Sequence, residues 1–87
     1  MSDAWREHDQ AKHAAISQVS DFMIAVMELE NRAREVADTV AGVTGGENCP
    51  NDNGRAAWES ISSVTEELEK IRGLCVETIT QLDAYIF

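Results

Sequence analysis

Apolar residues recur along the first half of the chain with alternating steps of four and three residues. The series is Ala15, Val19, Phe22, Val26, Leu29, Ala33, Val36, Val40 and Val43. This spacing is typical of the seam of an α-helical coiled coil, and it differs from the period of two that a strand requires. The pattern therefore predicts a first helix over about residues 3–44.

A second apolar series with the same spacing occupies the other half of the chain. It comprises Ala57, Ile61, Val64, Leu68, Ile71, Cys75, Thr78, Leu82 and Tyr85. The intervening segment TGGENCPNDNG holds three of the five glycines and the only proline, which favours a reversal of chain direction. We expect Gly45 to end the first helix in the left-handed conformation, and Asp52 or Asn53 to cap the second. The pattern predicts a loop over residues 45–53 and a second helix over about residues 54–87.

A short connection makes two successive helices antiparallel neighbours. Positions whose numbers sum to about 100 then face each other, so that Leu29 meets Ile71 and Phe22 meets Thr78. The predicted fold is all-α, a single helical-hairpin domain over residues 1–87. We expect this antiparallel coiled-coil hairpin to dimerise into a four-helix bundle.

One level of the predicted hairpin is apolar around both helices. Helix 1 reads FMIAVM there, and helix 2 reads LCV at the same level. A helix that is apolar on every side is buried on every side, which indicates that a second protein covers this level. The predicted interface residues are Met23, Ile24, Met27, Leu74, Val76 and Ile79.

Trp5 lies beyond the predicted end of helix 2, where its own hairpin cannot cover it. Large aromatic side chains rarely stay uncovered without a partner. If two copies pack antiparallel about a two-fold axis near residues 24 and 76, Trp5 of one copy reaches the bend of the other beside Trp58. We therefore add Trp5 and Trp58 to the predicted interface; a frayed N-terminal tail, or a different protein that binds Trp5, is the alternative.

The charge of the chain excludes several classes of partner. A formal net charge of −9 and a pI near 4.4 argue against nucleic acid and against anionic membrane surfaces, which both require clustered Lys and Arg. The longest apolar run, FMIAVM, is far shorter than a membrane span. No basic leader precedes an apolar run at the N-terminus, so we expect a cytoplasmic protein or one exported without a signal peptide.

Few side chains offer catalytic or metal-binding chemistry. Asp9 and His13, four residues apart, supply two metal ligands, and nothing completes the set. Cys49 has Glu47 nearby and no local base, which disfavours a nucleophilic thiol. Cys75 lies about 25 positions along helix 2, or roughly 37 Å, too far for a disulfide. We expect no enzymatic activity, no cofactor and no metal.

The two similar helices, the acidic surface and the short chain resemble the small helical-hairpin proteins of type VII secretion, the WxG-motif family. The second half, GRAAWESISSVTEELEKIRGLCVETITQLDAYI, also resembles the small hairpin partners encoded beside actinobacterial polymorphic toxins. The family's Trp-x-Gly turn is absent, because Trp58 is followed by Glu59 and Ser60. So is its export signature of a Tyr with an acidic residue four positions later, because only two residues follow Tyr85.

A second resemblance is to the needle subunits of type III secretion, helical hairpins with a Pro-x-x-Pro bend, of which CPNDNG holds the first proline. The first resemblance implies a non-enzymatic protein–protein interaction module. It would act as a homodimer, or as a chaperone-like partner of a larger helical or toxin protein. The second implies a structural subunit or a chaperone of a type III-like apparatus.

Overall fold

The protein is an antiparallel hairpin of two long helices. The computed structural model describes residues 3–85, with side chains from Arg6 onward. Helix α1 spans Asp3–Thr44, one turn of 3-10 helix spans Gly46–Asn48, and helix α2 spans Asp52–Ala84. The Cα trace measures 68 × 15 × 13 Å, so the molecule is a rod only two helices wide. The all-α hairpin predicted from the sequence is confirmed, and the described residues contain no strand.

The end of α1 follows the prediction at Gly45, which has a φ of +92° and donates its N–H to the carbonyl of Ala41 at 2.8 Å. The predicted cap of α2 at Asp52 or Asn53 is wrong. Asn51 is the cap, because its Oδ1 accepts hydrogen bonds from the backbone N–H groups of Asn53 (2.8 Å) and Gly54 (3.3 Å). Helix α2 therefore begins at Asp52.

The inside of the bend is tightly packed. Cys49 is 5% exposed, and a Cβ added to Gly54 would lie 2.8 Å from its Sγ. Gly46 is buried with a φ of +62°, and a Cβ there would lie 3.5 Å from Nε1 of Trp58. The turn is thus held against the first turns of α2, and Cys49 is part of that packing.

The seam between the helices is rotated by about one residue from the predicted seam. The side chains that face the other helix are buried or half-buried: Val19, Met23, Val26, Glu30, Ala33, Ala37, Val40 and Thr44 of α1, and Trp58, Ile61, Thr65, Leu68, Arg72, Cys75, Ile79 and Leu82 of α2. The prediction that Phe22, Leu29 and Val43 lie in the seam is wrong, because they are 57%, 56% and 83% exposed. Ala57 and Thr78, the predicted partners of Val43 and Phe22, are also exposed, whereas Ile71, the predicted partner of Leu29, is half-buried. Val64 and Tyr85 of the same predicted series are exposed as well.

The rotation has a physical cause in the width of the apolar stripe. In each heptad of α1, residues such as Val26 and Val40 have apolar neighbours on both sides, and a contact between two helices buries only one of these sides. Two ion pairs across the seam accompany the burial of this side of the stripe. Arg72 Nε donates to Glu30 Oε1 at 2.7 Å, and Arg34 donates to Glu69 at 3.0 Å.

The open end of the hairpin is tied by Lys12. Its Nζ donates to the carbonyl oxygens of Asp83 (2.8 Å) and Tyr85 (3.2 Å). These belong to the last turn and C-cap of α2, where carbonyls have no partner within the helix. Lys12 therefore acts as a C-cap that is supplied by the other helix.

Two glycines inside the helices are not required by packing. A Cβ added to Gly42 or to Gly73 would meet no atom within 4 Å. Because alanine loses less backbone entropy in a helix, we expect Gly42→Ala and Gly73→Ala each to stabilise the fold by about 0.5–1 kcal/mol. Thermal unfolding followed by circular dichroism measures this as a rise in Tm of a few degrees. A fall in Tm for either variant would show that a close contact requires the glycine.

Candidate interaction surface

One side of the hairpin is a continuous apolar surface, which we call the apolar side. It is formed by residues that repeat every seven positions along both helices: Ala15, Phe22, Leu29, Val36 and Val43 of α1, and Ala57, Val64, Ile71 and Thr78 of α2. Leu74, 59% exposed, adjoins it. In its middle lies an open groove lined by Leu29, Arg32, Ala33, Val36, Ile61, Val64 and Leu68. The surface thus runs along most of the length that the two helices share.

The opposite side, which we call the polar side, has a different composition. It carries the Arg34–Glu69 ion pair and a shallow groove lined by Arg34, Ala37, Asp38, Trp58, Ser62 and Thr65. Glu30, 3% exposed, accepts from Arg72 at 2.7 Å and from Arg34 at 3.4 Å. Every buried side-chain N or O atom among the described residues has a hydrogen-bond partner. The buried polar groups of this side are thus satisfied within the hairpin.

Only two charged residues border the apolar side between residues 15 and 43 and between 57 and 84, and they have opposite signs. They are Arg32 and Glu67, which the seven-residue repeat places at the outer edges of the stripe on α1 and α2. Arg32 pairs with Glu35 and Glu67 with Lys70, both at 3.2 Å. All four side chains are well exposed, so these pairs contribute little to stability and are free to exchange partners.

The predicted interface residues do not gather on one side. Met23 and Ile79 are half-buried in the seam. Ile24, Met27 and Val76 are 53%, 45% and 50% exposed on the polar side, whereas Leu74 borders the apolar side. The cluster predicted at one level is therefore divided between the two sides and the seam.

The two tryptophans have different positions. Trp58 is half-buried, and its indole lies against Gly46 of the bend and lines the groove of the polar side. Trp5 is within α1, and its side chain lies outside the described residues. The predicted contact between Trp5 and a partner's bend stays a prediction.

Sequence reasoning missed the apolar side because it assigned Phe22, Leu29 and Val64 to the internal seam. A third apolar position per heptad was the available signal, since a single hairpin needs only two. The elongated shape also gives the chain a large exposed area. The chain exposes 6426 Å², whereas a compact monomer of 9.6 kDa exposes roughly 5,100 Å².

The described residues hold few reactive groups. No three His, Cys, Asp or Glu side chains in this part of the chain are close enough to bind a metal. Asp9 and His13 approach to 3.5 Å, and both are well exposed. Cys49 and Cys75 are free and buried. Neither α1 nor α2, as far as they are described, contains a stretch apolar enough to span a bilayer.

No protein family model, no curated protein and no solved structure matches this chain. The case for a function therefore comes from the surface itself. Its main feature is an apolar face that extends over roughly eight helical turns, from Ala15 to Val43, on a molecule too thin to cover it.

Proposed function

We propose that this protein is a non-enzymatic protein–protein interaction module that acts by docking its hairpin against other helices. The observation that carries the proposal is the apolar side, where Phe22, Leu29, Val43 and Val64 are each about half exposed or more. An apolar surface of this extent on a small protein marks an interaction site.

The module would act as a homodimer, or as the chaperone-like partner of a larger helical or toxin protein. We place it in a type VII secretion-like or toxin locus, on the basis of its helical-hairpin form and acidic composition. Its site of action would be the cytoplasm, or outside the cell after export without a signal peptide. Pairing between helices requires no catalytic group, metal or cofactor.

Light scattering coupled to size-exclusion chromatography tests this proposal. We expect one fixed mass of about twice 9.6 kDa across a hundredfold range of protein concentration. A ladder of masses that grows with concentration would instead support a polymerising subunit of a type III-like apparatus. A 9.6 kDa monomer that also retains no product of a neighbouring gene in co-purification would overturn the proposal.

A further inference from the structure

We infer that the occupant of the apolar side is a second copy of this chain, with the bends of both copies at the same end. Helix α1 of each copy then lies against α2 of the other, and the four helices form an antiparallel bundle. This inference rests on the proposed function, and adds to it the partner, the face and the orientation. In this orientation the partner's bend lies at the far end of the dimer from Trp5. The contact between Trp5 and a partner's bend belongs to the opposite orientation, so the two arrangements exclude each other.

The length of the apolar side indicates a partner with long helices. From Ala15 to Val43 the stripe on α1 extends over roughly 42 Å. A partner must offer an apolar stripe of the same length on two adjacent helices, and this chain has such a surface itself. Two faces of this length, each about 15 Å wide, bury about 1,300 Å² in total, which lies within the range of stable interfaces.

The side chains fit at equal distances from the bend. With both bends at one end, α1 faces the partner's α2 in an antiparallel arrangement, so positions that sum to about 100 meet across the interface. Leu29 then meets the partner's Ile71, and the large ring of Phe22 meets the small Thr78. The part of the predicted apolar series that the hairpin leaves outside its own seam would thus join two chains.

The charges that border the apolar side fit the same orientation. Within one chain, Arg34 and Glu69 form an ion pair at 3.0 Å along the polar edge of the seam. Arg32 and Glu67 lie on the other side of the hairpin, at the outer edges of the apolar side on α1 and α2. There Arg32 faces the partner's Glu67, and the reverse contact repeats by symmetry. The remaining charges lie away from the interface, which keeps the net charge of −9 on each chain at the periphery.

A pair of matched valines tests the face. Val64 on the apolar side is 49% exposed and Val76 on the polar side is 50% exposed, and both lie on α2. We expect Val64→Glu to raise the dimer dissociation constant at least 100-fold by light scattering, because it places a charge in an apolar interface. Val76→Glu should change it less than threefold. Equal effects, or a Val64→Glu dimer as tight as the wild type, would overturn the inference.

A second matched pair covers the case in which Val64→Glu loses helicity by circular dichroism. Leu29→Lys on the apolar side and Ile24→Lys on the polar side alter side chains that are 56% and 53% exposed. Only Leu29→Lys should produce monomers. A wild-type dimer that survives both apolar-side variants would leave the proposed function intact and reject this face. A wild-type monomer that binds only a different protein would reject the second copy as the occupant.

Disulfide trapping tests the orientation. The double variant Arg32→Cys/Glu67→Cys should form a covalent dimer under mild oxidation, seen on a non-reducing gel, because the two positions face each other across the interface. Each single variant should remain monomeric on the same gel. A covalent dimer from Arg32→Cys alone would place the two copies with their bends at opposite ends and overturn the proposed orientation.

Discussion

The variant Arg72→Met is expected to lower the free energy of unfolding by about 2–3 kcal/mol. The carboxylate of Glu30 is only 4% exposed and accepts the 2.7 Å bond from Arg72 Nε. Removing the arginine leaves a buried carboxylate whose other partner is Arg34, at 3.4 Å. Urea unfolding followed by circular dichroism measures the loss.

Removing the other partner of this ion pair, with Glu30→Leu, should lower the free energy of unfolding by less than about 1 kcal/mol or should raise it. Arg72 and Arg34 are 41% and 47% exposed, so both reach water once the carboxylate is gone, while leucine fills the seam. In the Glu30→Leu background, Arg72→Met should then have almost no effect. An equal cost of Arg72→Met in both backgrounds would show that the arginine acts through packing of its stem and not through Glu30.

The variant Gly54→Ala is expected to destabilise the hairpin by about 1–3 kcal/mol. Its new Cβ would lie 2.8 Å from Cys49 Sγ and 3.4 Å from two carbons of Thr44. Cys49 is 5% exposed, so its thiol has little room to move. Thermal unfolding should show the loss as a clear fall in Tm, the opposite sign to Gly42→Ala and Gly73→Ala.

The double variant Gly54→Ala/Cys49→Ala provides the control for this clash. Removing Sγ makes room for the new methyl group, so Gly54→Ala should cost less than half as much when Cys49 is alanine. If the cost is unchanged, the contact with Thr44 or the start of α2 sets the requirement for glycine at position 54.

The hairpin itself follows from signals that are local in the sequence. The repeat of four and three residues indicates two helices, and Gly45 marks the end of the first through a conformation that glycine adopts at low cost. The cap of α2 was harder to predict from the sequence, because Asn51, Asp52 and Asn53 are three adjacent candidates. Asn51 follows Pro50 and has the extended backbone that a cap residue requires.

The rotation of the seam could not be predicted from the periodicity of one chain. Leu29 and Glu30 compete for the same inward place, and hydrophobicity alone favours Leu29. The structure buries Glu30 instead, and this requires Arg72, 42 residues away in sequence, to arrive within hydrogen-bond distance. An ion pair between distant residues has no signature in local spacing, so the spacing alone could not show which side of the wide apolar stripe faces the other helix.

The bend also determines how contacts are ordered along the folding pathway. A Cβ on Gly54 would touch Thr44 across a loop of ten residues, whereas Lys12 and Tyr85 are 73 residues apart. Once one turn of α1 has packed against α2, packing the next turn toward the open end adds only a small entropic cost of loop closure. Contacts between the two helices are therefore expected to form first at the bend and then progressively toward the open end. Folding in this order has a low contact order and is correspondingly fast. Amide protection should then decline from the bend toward the open end, and shortening both helices there would remove turns without disturbing the nucleus.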